Sequence, residues 1–412
     1  MNNLFEVTPF AMGHGGDAIG RHAGKAVFIP YAIPGERIRA EIVEEHKHYA
    51  RAGLVEVLEP SPVRVTPACP HFGPQGCGGC QLQHIAYSAQ VQLKGLIVKD
   101  QLQRIGKFEK PPILEPIPDA NGWEYRNHAL FRTTAGGDPG FLIAGSHKVL
   151  PITTCPVLHP LLAELYHSLD MTKPNIERLE LRVGTATGDL MVILQTYDEE
   201  PPSLHVDFPL SIVQVRHDTT PTPLVGLDYI REVVKGREFR ISATSFYQVN
   251  SGQAGRLIEL VLDALDIQSD EKVVDAYCGV GLFTAFLAKK ASLVTGIELN
   301  RDAVADAIYN LADAENVTLL EGPVAQALQQ VEGAVDAAVL DPPRTGLDTE
   351  ALDALVALSP TRIAYVSCDP ATLARDARRL VGQGYALAWV QPVDLFPQTF
   401  HIENVALFFK SS

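Results

Sequence analysis

The sequence predicts an α/β protein whose carboxyl-terminal domain is a doubly wound parallel sheet, preceded by a small OB-like β-barrel and a middle α+β region. Three observations predict this. From residue 236 onward, strand-like Val/Ile/Ala/Leu runs at Lys272–Ala276, 293–297, 334–340 and Arg362–Ser367 alternate with helical patterns at 282–290, 301–314 and 371–381. Continuously apolar strands of this kind suit a parallel sheet buried on both faces. Before residue 60, Lys25–Ile29, 37–43 and 53–58 alternate apolar and polar residues between turn clusters at 13–16, 33–35 and 60–62, the punctuation of a small barrel. Between the two, a helical stretch (87–105), Pro-rich connections (111–118), strand-like runs (178–183 and 191–196) and a loop at Pro201 and Pro202 form a mixed region. The expected divisions are 1–60, 61–235 and 236–412. The last run, 404–410, follows 389–393 too closely for a helical crossover, so it is expected to return antiparallel at the sheet edge.

The chain has 412 residues, 46% hydrophobic and 20% charged, which excludes wholesale disorder and allows two or three domains. No apolar run approaches the about 20 residues of a membrane span. Residues 1–10 lack the basic and apolar segments of a secretory signal, so a monomer acting in the cytoplasm, with no membrane partner, is expected. The net charge of −15 argues against a polyanionic partner held by bulk charge. It leaves room for a local basic groove. Residues 1–60 carry six Lys/Arg against eight Asp/Glu (−2), and residues 61–130 carry seven against five (+2). The expected groove residues are Lys94, Lys99, Arg104, Arg126, Arg132 and Arg344.

Cys69, Cys77 and Cys80 form a C-x7-C-x2-C pattern in CPHFGPQGCGGC. Glycines at 76, 78 and 79 give the backbone freedom to fold thiolates around a metal. Three inert thiols are the plainer alternative, disfavoured by their closeness among glycines. His71, His84 and the distant Cys155 are candidates for a fourth ligand. Spacing does not choose between zinc and iron–sulfur.

The run Val273 to Gly281 (VVDAYCGVG) is an apolar strand entering a Gly-containing turn and then a helix. Gly279 and Gly281 let a flat ligand approach the main chain. Glu298 ends the next strand, 23 positions after Asp275, where an acid would accept from ribose hydroxyls. The absence of GxGxxG favours an adenosine without a pyrophosphate, as in S-adenosylmethionine, over a dinucleotide. Asp341, in LDPPR, and Cys368, in SCDP, end two further strands. Ligand crevices of open α/β sheets lie at such carboxyl ends, so Glu298, Asp341 and Cys368 are expected to face one cavity. The plainer readings are a helix N-cap for Asp341 and a buried inert thiol for Cys368.

A thiol, a carboxylate and a methyl donor fit methylation of a pyrimidine at C5. Thiolate addition at C6 makes C5 nucleophilic, and a base must later remove the C5 proton. Cys368 is the candidate nucleophile. Asp341 would accept from uracil N3–H, and Glu403 is the candidate base, with His401 weaker. Phe246 is a candidate for stacking on a displaced base, against the commoner fate of a core Phe.

These stretches resemble the bacterial RNA uracil-5-methyltransferases, in particular the 23S rRNA type known as RumA. The resemblance rests on SFYQVN (245–250), DAYCGVG (275–281), GIELN (296–300), LDPPRTGLD (340–348), SCDPATLARD (367–376), FPQTFHIEN (396–404) and the cysteine segment 69–84. The middle region matches only at Cys155 and at Trp123, Tyr125, Arg126 and Asn127. The resemblance implies a Rossmann-like class I methyltransferase domain with a TRAM-type RNA-binding barrel. It implies a 4Fe-4S cluster on Cys69, Cys77, Cys80 and Cys155, and S-adenosylmethionine contacts from Gln248, Tyr277, Glu298 and Asp341. Cys368 would be the nucleophile and Glu403 the base. Two departures stand out: Gln398 where the family often has His, and seven residues rather than the commoner five between Cys69 and Cys77. The alternatives are a tRNA uracil-5-methyltransferase, an inactive RNA-binding or assembly protein, and a DNA cytosine methyltransferase. The last expects a Pro-Cys nucleophile early in the domain, whereas Cys368 comes late and follows Ser367. The tRNA-acting type is expected to lack both barrel and cluster.

Overall fold

The computed structural model describes residues 4–134, 136–171, 176–196, 204–206, 208–216 and 220–411; the loop expected at Pro201 and Pro202 lies outside them. At the amino end, strands Leu4–Val7, Ala11–Met12, Ala18–His22, Lys25–Ile29, Arg37–Glu45 and Tyr49–Glu59 form one six-stranded sheet. Register shifts along Arg37–Glu45 bend it around a core of Phe5, Val27, Ile29, Ile38 and small alanines. Glu36 is wholly buried at the exit of this barrel. Burial raises its carboxyl pKa, but Arg64 and the amides of Ser61 and Ile33 outweigh that and hold it below the ordinary value. This pair ties the barrel to the segment that follows.

The middle region is built on a seven-stranded sheet, in the order Thr222–Val225, Ser211–Arg216, Leu190–Thr196, Ile176–Val183, His128–Thr133, Pro139–Leu142 and Val149–Pro151. Its own core holds Phe131, Leu162, Leu179, Leu181 and Leu194. Met191, Ile193 and Val213 instead join the core of the carboxyl-terminal sheet, so the two regions are packed as one body. The expected division at 235 falls in the turn of a hairpin, Tyr229–Val234 with Arg237–Ser242.

The carboxyl-terminal sheet runs Val317–Glu321, Leu293–Glu298, Lys272–Ala276, Ala337–Leu340, Arg362–Ser367, Glu403–Lys410, Tyr385–Val393. The first five are parallel, and Glu403–Lys410 is antiparallel to both of its neighbours. The expectation of an antiparallel edge strand is therefore half right. Glu403–Lys410 lies one strand in, because Tyr385–Val393 arrives first at the outer position. Residues 113–117, read from sequence as a Pro-rich connection, cover that outer edge through bridges Ile113 to Val390 and Ile117 to Val393. A covered edge is closed to strand addition from another chain.

Four helices of this domain begin at side-chain caps: Asn250, Asn300, Asp348 and Asp369 each accept amides of the first turn. The helix expected over 282–290 is one turn, Thr284–Leu287, flanked by non-helical turns.

The helix Tyr87–Arg104 packs on Pro370–Gly382 and buries Lys94, 1% exposed, against Asp394 at 2.6 Å. Lys94 is thus not a groove residue. Burial lowers its pKa while Asp394 works against that shift. Lys94→Met leaves Asp394 charged and unpaired, and should cost about 3–5 kcal/mol in chemical denaturation. Lys94→Met/Asp394→Leu should recover most of that loss, and a single variant as stable as wild type would refute the pairing.

Candidate active site

Sheet register brings the chemistry-bearing residues to one edge. Ala276 is level with Ile297 on one side and with Leu340 on the other, and Leu340 is level with Tyr365. Tyr277, Glu298 and Asp341 therefore leave neighbouring strand ends. Ser367 pairs with Asn404, which puts Cys368 and Glu403 together just beyond that pair. Cys368 remains half-exposed and is not sealed into the core.

The turn after Lys272–Ala276 is strained by design. Tyr277 (φ +66°), Gly279 (+54°) and Gly281 (+86°) all adopt left-handed conformations. At Gly279 a Cβ would meet nothing within 4 Å, so that face is open for a ligand. At Gly281 a Cβ would sit 2.9 Å from the Leu311 side chain, so this glycine also allows close helix packing beside the turn. Glu298 accepts the amides of Gly279 (3.0 Å), Leu299 (2.7 Å) and Asn300 (2.7 Å), and so holds the turn itself. Gln248 is buried and its Nε2 donates to Asp341 Oδ2 at 3.4 Å. The Gln248 carbonyl in turn accepts from Asn127 Nδ2, of the YRN segment, at 2.9 Å.

The electrostatics are those of a crowded cluster of acids. Burial, then Asp275 and Glu298, push the Asp341 carboxyl up to about 7. Burial and then Asp341 raise Glu403 well above the ordinary carboxylate range, against the Asn404 amide and Arg344. Asp275, wholly buried and bonded by Thr284 at 2.5 Å, is also raised to about 7 by burial. The Cys368 thiol is raised to about 12 by burial, then Glu403, with Arg344 acting in the opposite sense. His401 is lowered to about 3 by burial and then by Arg344, whose Nη2 lies 3.4 Å from its Nε2. Asp341 is not a helix N-cap, since Asp348 caps the helix that follows.

Asp341 supplies a sign test. A carboxyl raised in the folded state contributes stability that is present below its unfolded value and lost as pH rises through its folded value, here about 7. Asp341→Asn, which cannot ionise, should match wild type near pH 4. It should then gain steadily until its melting temperature is higher by roughly 5 °C at pH 8. A thermal-melt difference that is flat with pH would overturn this.

The remaining predicted residues sort clearly. Phe246 is 66% exposed, not a core residue. Lys99 and Arg344 lie at the surface. Arg132 pairs with Glu177, Arg104 pairs with Asp100, and Arg126 lines the cysteine cavity. Lys94, Arg126 and Arg344 nevertheless all lie near enough to His401 to lower its pKa. Sequence reasoning missed His14: this barrel residue reaches Asp369, next to Cys368, at 3.7 Å and meets Phe400 edge-on. Gly16 permits the approach, because its φ is +85° and a Cβ would lie 3.3 Å from Phe400. The turn cluster at 13–16 was the only signal.

Comparison with known proteins decides what this edge belongs to. A family model described as tRNA (uracil-5-)-methyltransferase matches residues 210–411, and one for the TRAM domain matches 6–55. An uncharacterized RNA methyltransferase of Halalkalibacterium halodurans is 37% identical over 98% of this chain and 97% of its own. One from Caldanaerobacter subterraneus is 36% identical over the same shares. The chain belongs to the RNA uracil-5-methyltransferase family. The crystal structure of a Pyrococcus abyssi tRNA (uracil-54, C5)-methyltransferase, in complex with S-adenosyl-L-homocysteine, superposes with a TM-score of 0.73. It shares 26% identity over 98% of this chain and 100% of that one. The methyltransferase therefore has the Rossmann-like catalytic fold with an amino-terminal TRAM domain, binds S-adenosylmethionine and acts on RNA. The Pyrococcus protein also removes an argument: a tRNA-acting relative spans the full length, so barrel and middle region do not by themselves select rRNA. Among the described residues no helix is long and apolar enough to cross a membrane.

In this methyltransferase Cys69, Cys77, Cys80 and Cys155 all line one cavity of about 20 Å³, together with His71 and Arg126. The other two candidate ligands fare worse. His71 Nε2 accepts the Thr153 amide at 2.9 Å, and His84 is buried and stacked on Phe72 away from the cavity. Four soft thiols around one cavity are a donor set that fits an iron–sulfur cluster or zinc. No set of three or more His, Cys, Asp or Glu among the described residues is already drawn into ligand geometry. The CGGC loop is pinned against residues 143 and 144. Cys77 bridges Ile143, and a Cβ at Gly78 would press on Ala144 at 3.1 Å.

Proposed function

We propose that this methyltransferase forms 5-methyluridine in 23S rRNA through a covalent bond between Cys368 and uracil C6. The observation that carries the reading is the meeting of Cys368, Asp341 and Glu403 at adjacent strand ends beside an open, Gly-lined turn. The Cys368 thiolate adds to C6, and the electron pair moves through C5–C4 onto O4. Bound S-adenosylmethionine supplies the methyl group that C5 then takes up. The Glu403 carboxylate removes the C5 proton, the C6–S bond breaks, and the thiolate leaves with its electron pair. Asp341, oriented by Gln248, accepts from N3–H, which uracil has and cytosine lacks. Tyr277, Gly279 and Glu298 shape the adenosine side. His401, lowered to about 3, is too weak a base to compete with Glu403.

Cys69, Cys77, Cys80 and Cys155 would hold a 4Fe-4S cluster that ties the middle region together in the cytoplasmic enzyme. The rRNA assignment draws on the RumA-type motifs, and a tRNA target is the second reading, favoured by the Pyrococcus relative. The intact Cys368, Asp341 and Glu403 argue against an inactive assembly protein. Mapping 5-methyluridine across rRNA and tRNA in a strain lacking the protein separates these. Loss at a 23S position supports the proposal, loss in tRNA alone transfers it to the second reading, and loss at neither removes both.

A further inference from the structure

Glu403 is delivered by residues 394–402, which contain no helix or strand. Outside this loop, the polar partners of residues 396–400 come from the region that carries the cysteines. Lys94 Nζ donates to the Phe396 carbonyl at 3.0 Å, and the Tyr125 hydroxyl donates to the Pro397 carbonyl at 3.0 Å. Gln398 is the centre of the set. It is 1% exposed and its φ is +69°, so the chain turns most sharply there. Its carbonyl accepts the amides of Gln81 (3.1 Å) and Leu82 (3.0 Å). Its own amide donates to Gln90 Oε1 (3.1 Å), and its side-chain oxygen accepts from Gln90 Nε2 (2.8 Å). Its Nε2 donates to the Gly122 carbonyl at 3.2 Å. Gln81 extends the link in both directions. Its Nε2 donates to the carbonyl of Gly78, between Cys77 and Cys80 (2.7 Å), and its Oε1 accepts the Phe400 amide (3.3 Å).

We propose that Gln398 is a positioning residue for the catalytic base, the joint through which the cysteine-bearing region aims the Glu403 carboxylate at the C5 proton. The inference rests on the reading of Glu403 as base. A buried residue needing both a donor and an acceptor explains why Gln stands here: a carboxylate would lose the bond to Gly122, and an apolar side chain would leave Gln90 and Gly122 unpaired. Histidine, which the family often has at this position, also offers one donor and one acceptor.

Because the base acts after C6–S bond formation, a misaimed Glu403 stalls the enzyme as a methylated RNA–protein adduct. A fold that is merely weakened loses adduct and product together. Enzyme purified with its cysteine centre intact is reacted with RNA and S-adenosylmethionine, quenched in denaturant, and scored for adduct. Gln398→Ala should turn over ~10-fold or more slowly, with S-adenosylmethionine affinity within ~3-fold, while the adduct fraction rises toward that of Glu403→Gln. Gln398→His should restore turnover and clear the adduct. The proposal is overturned if Gln398→Ala turns over like wild type, or slows without adduct while Glu403→Gln accumulates it. If Glu403→Gln itself accumulates none, the assignment of the base falls first, and the role of Gln398 falls with it.

Discussion

Cys368→Ala is expected to lower methyl transfer to RNA by ~10³-fold or more and to abolish any denaturant-resistant RNA adduct, with S-adenosylmethionine binding unchanged. The size follows from the chemistry. C5 of uracil is a poor nucleophile until a group adds at C6, and no other described thiol stands at this edge, since Cys278 is buried inside the turn. Cofactor binding should survive because the proposed adenosine side, at Tyr277, Gly279 and Glu298, lies at a different strand end. Cys368→Ser should be nearly as inactive, because a hydroxyl is far harder to ionise than a thiol. The thiol is itself held up, at about 12, by burial and by Glu403, and Arg344 is the nearby cation that favours the thiolate. Free enzyme should therefore alkylate slowly at pH 7. Methyl transfer by Cys368→Ala within ten-fold of wild type would end the covalent mechanism and leave only the fold.

Glu403→Gln is expected to separate the two halves of the reaction. The amide keeps the shape of the side chain but cannot take a proton, so product release should fall by ~10²–10⁴-fold while methylated adduct builds up. His401 cannot stand in for it, because burial and Arg344 leave that imidazole at about 3. In the wild type both Asp341 and Glu403 are raised, Asp341 to about 7, so the ionised form of Asp341 grows only as pH passes through neutrality. Turnover should accordingly climb between pH 6 and 8 instead of levelling off above pH 5, where an ordinary carboxylate is fully ionised. A pH–rate profile that is flat over this range would show that Asp341 need not ionise for turnover, and a Glu403→Gln enzyme that releases product normally would rule Glu403 out as the base.

Much of the architecture was legible because it rests on local rules. Continuous apolar runs marked Lys272–Ala276 and Arg362–Ser367 to the residue, and alternation with turn residues marked Lys25–Ile29. The short helix Thr284–Leu287 was overcalled because an apolar stretch looks helical whether or not a strained turn consumes its first residues. The place of Lys94 was misjudged for a related reason. A Lys or Arg in a locally basic stretch reads as solvent-facing, yet Lys94 lies buried on Asp394, 300 positions away. No local pattern records a partner at that distance.

The residue types alone suggested the proposed chemistry: a cysteine and two acids in motifs that end strands, glycines where a flat ligand could approach, and three clustered cysteines suited to a soft metal centre, with Cys155 added as the fourth by the family resemblance. These are properties of side chains and of the strand-to-turn pattern, and they hold wherever the strands end up. Tertiary structure decided which of them act on one another. Strand order set Glu403 against Cys368, packing gave Gly281 a helix contact, and the barrel brought His14 to the rim. It also made Gln398 a junction between the cysteine loop and the base. Pairings across hundreds of residues depend on the closure of the whole chain, which no window of sequence contains.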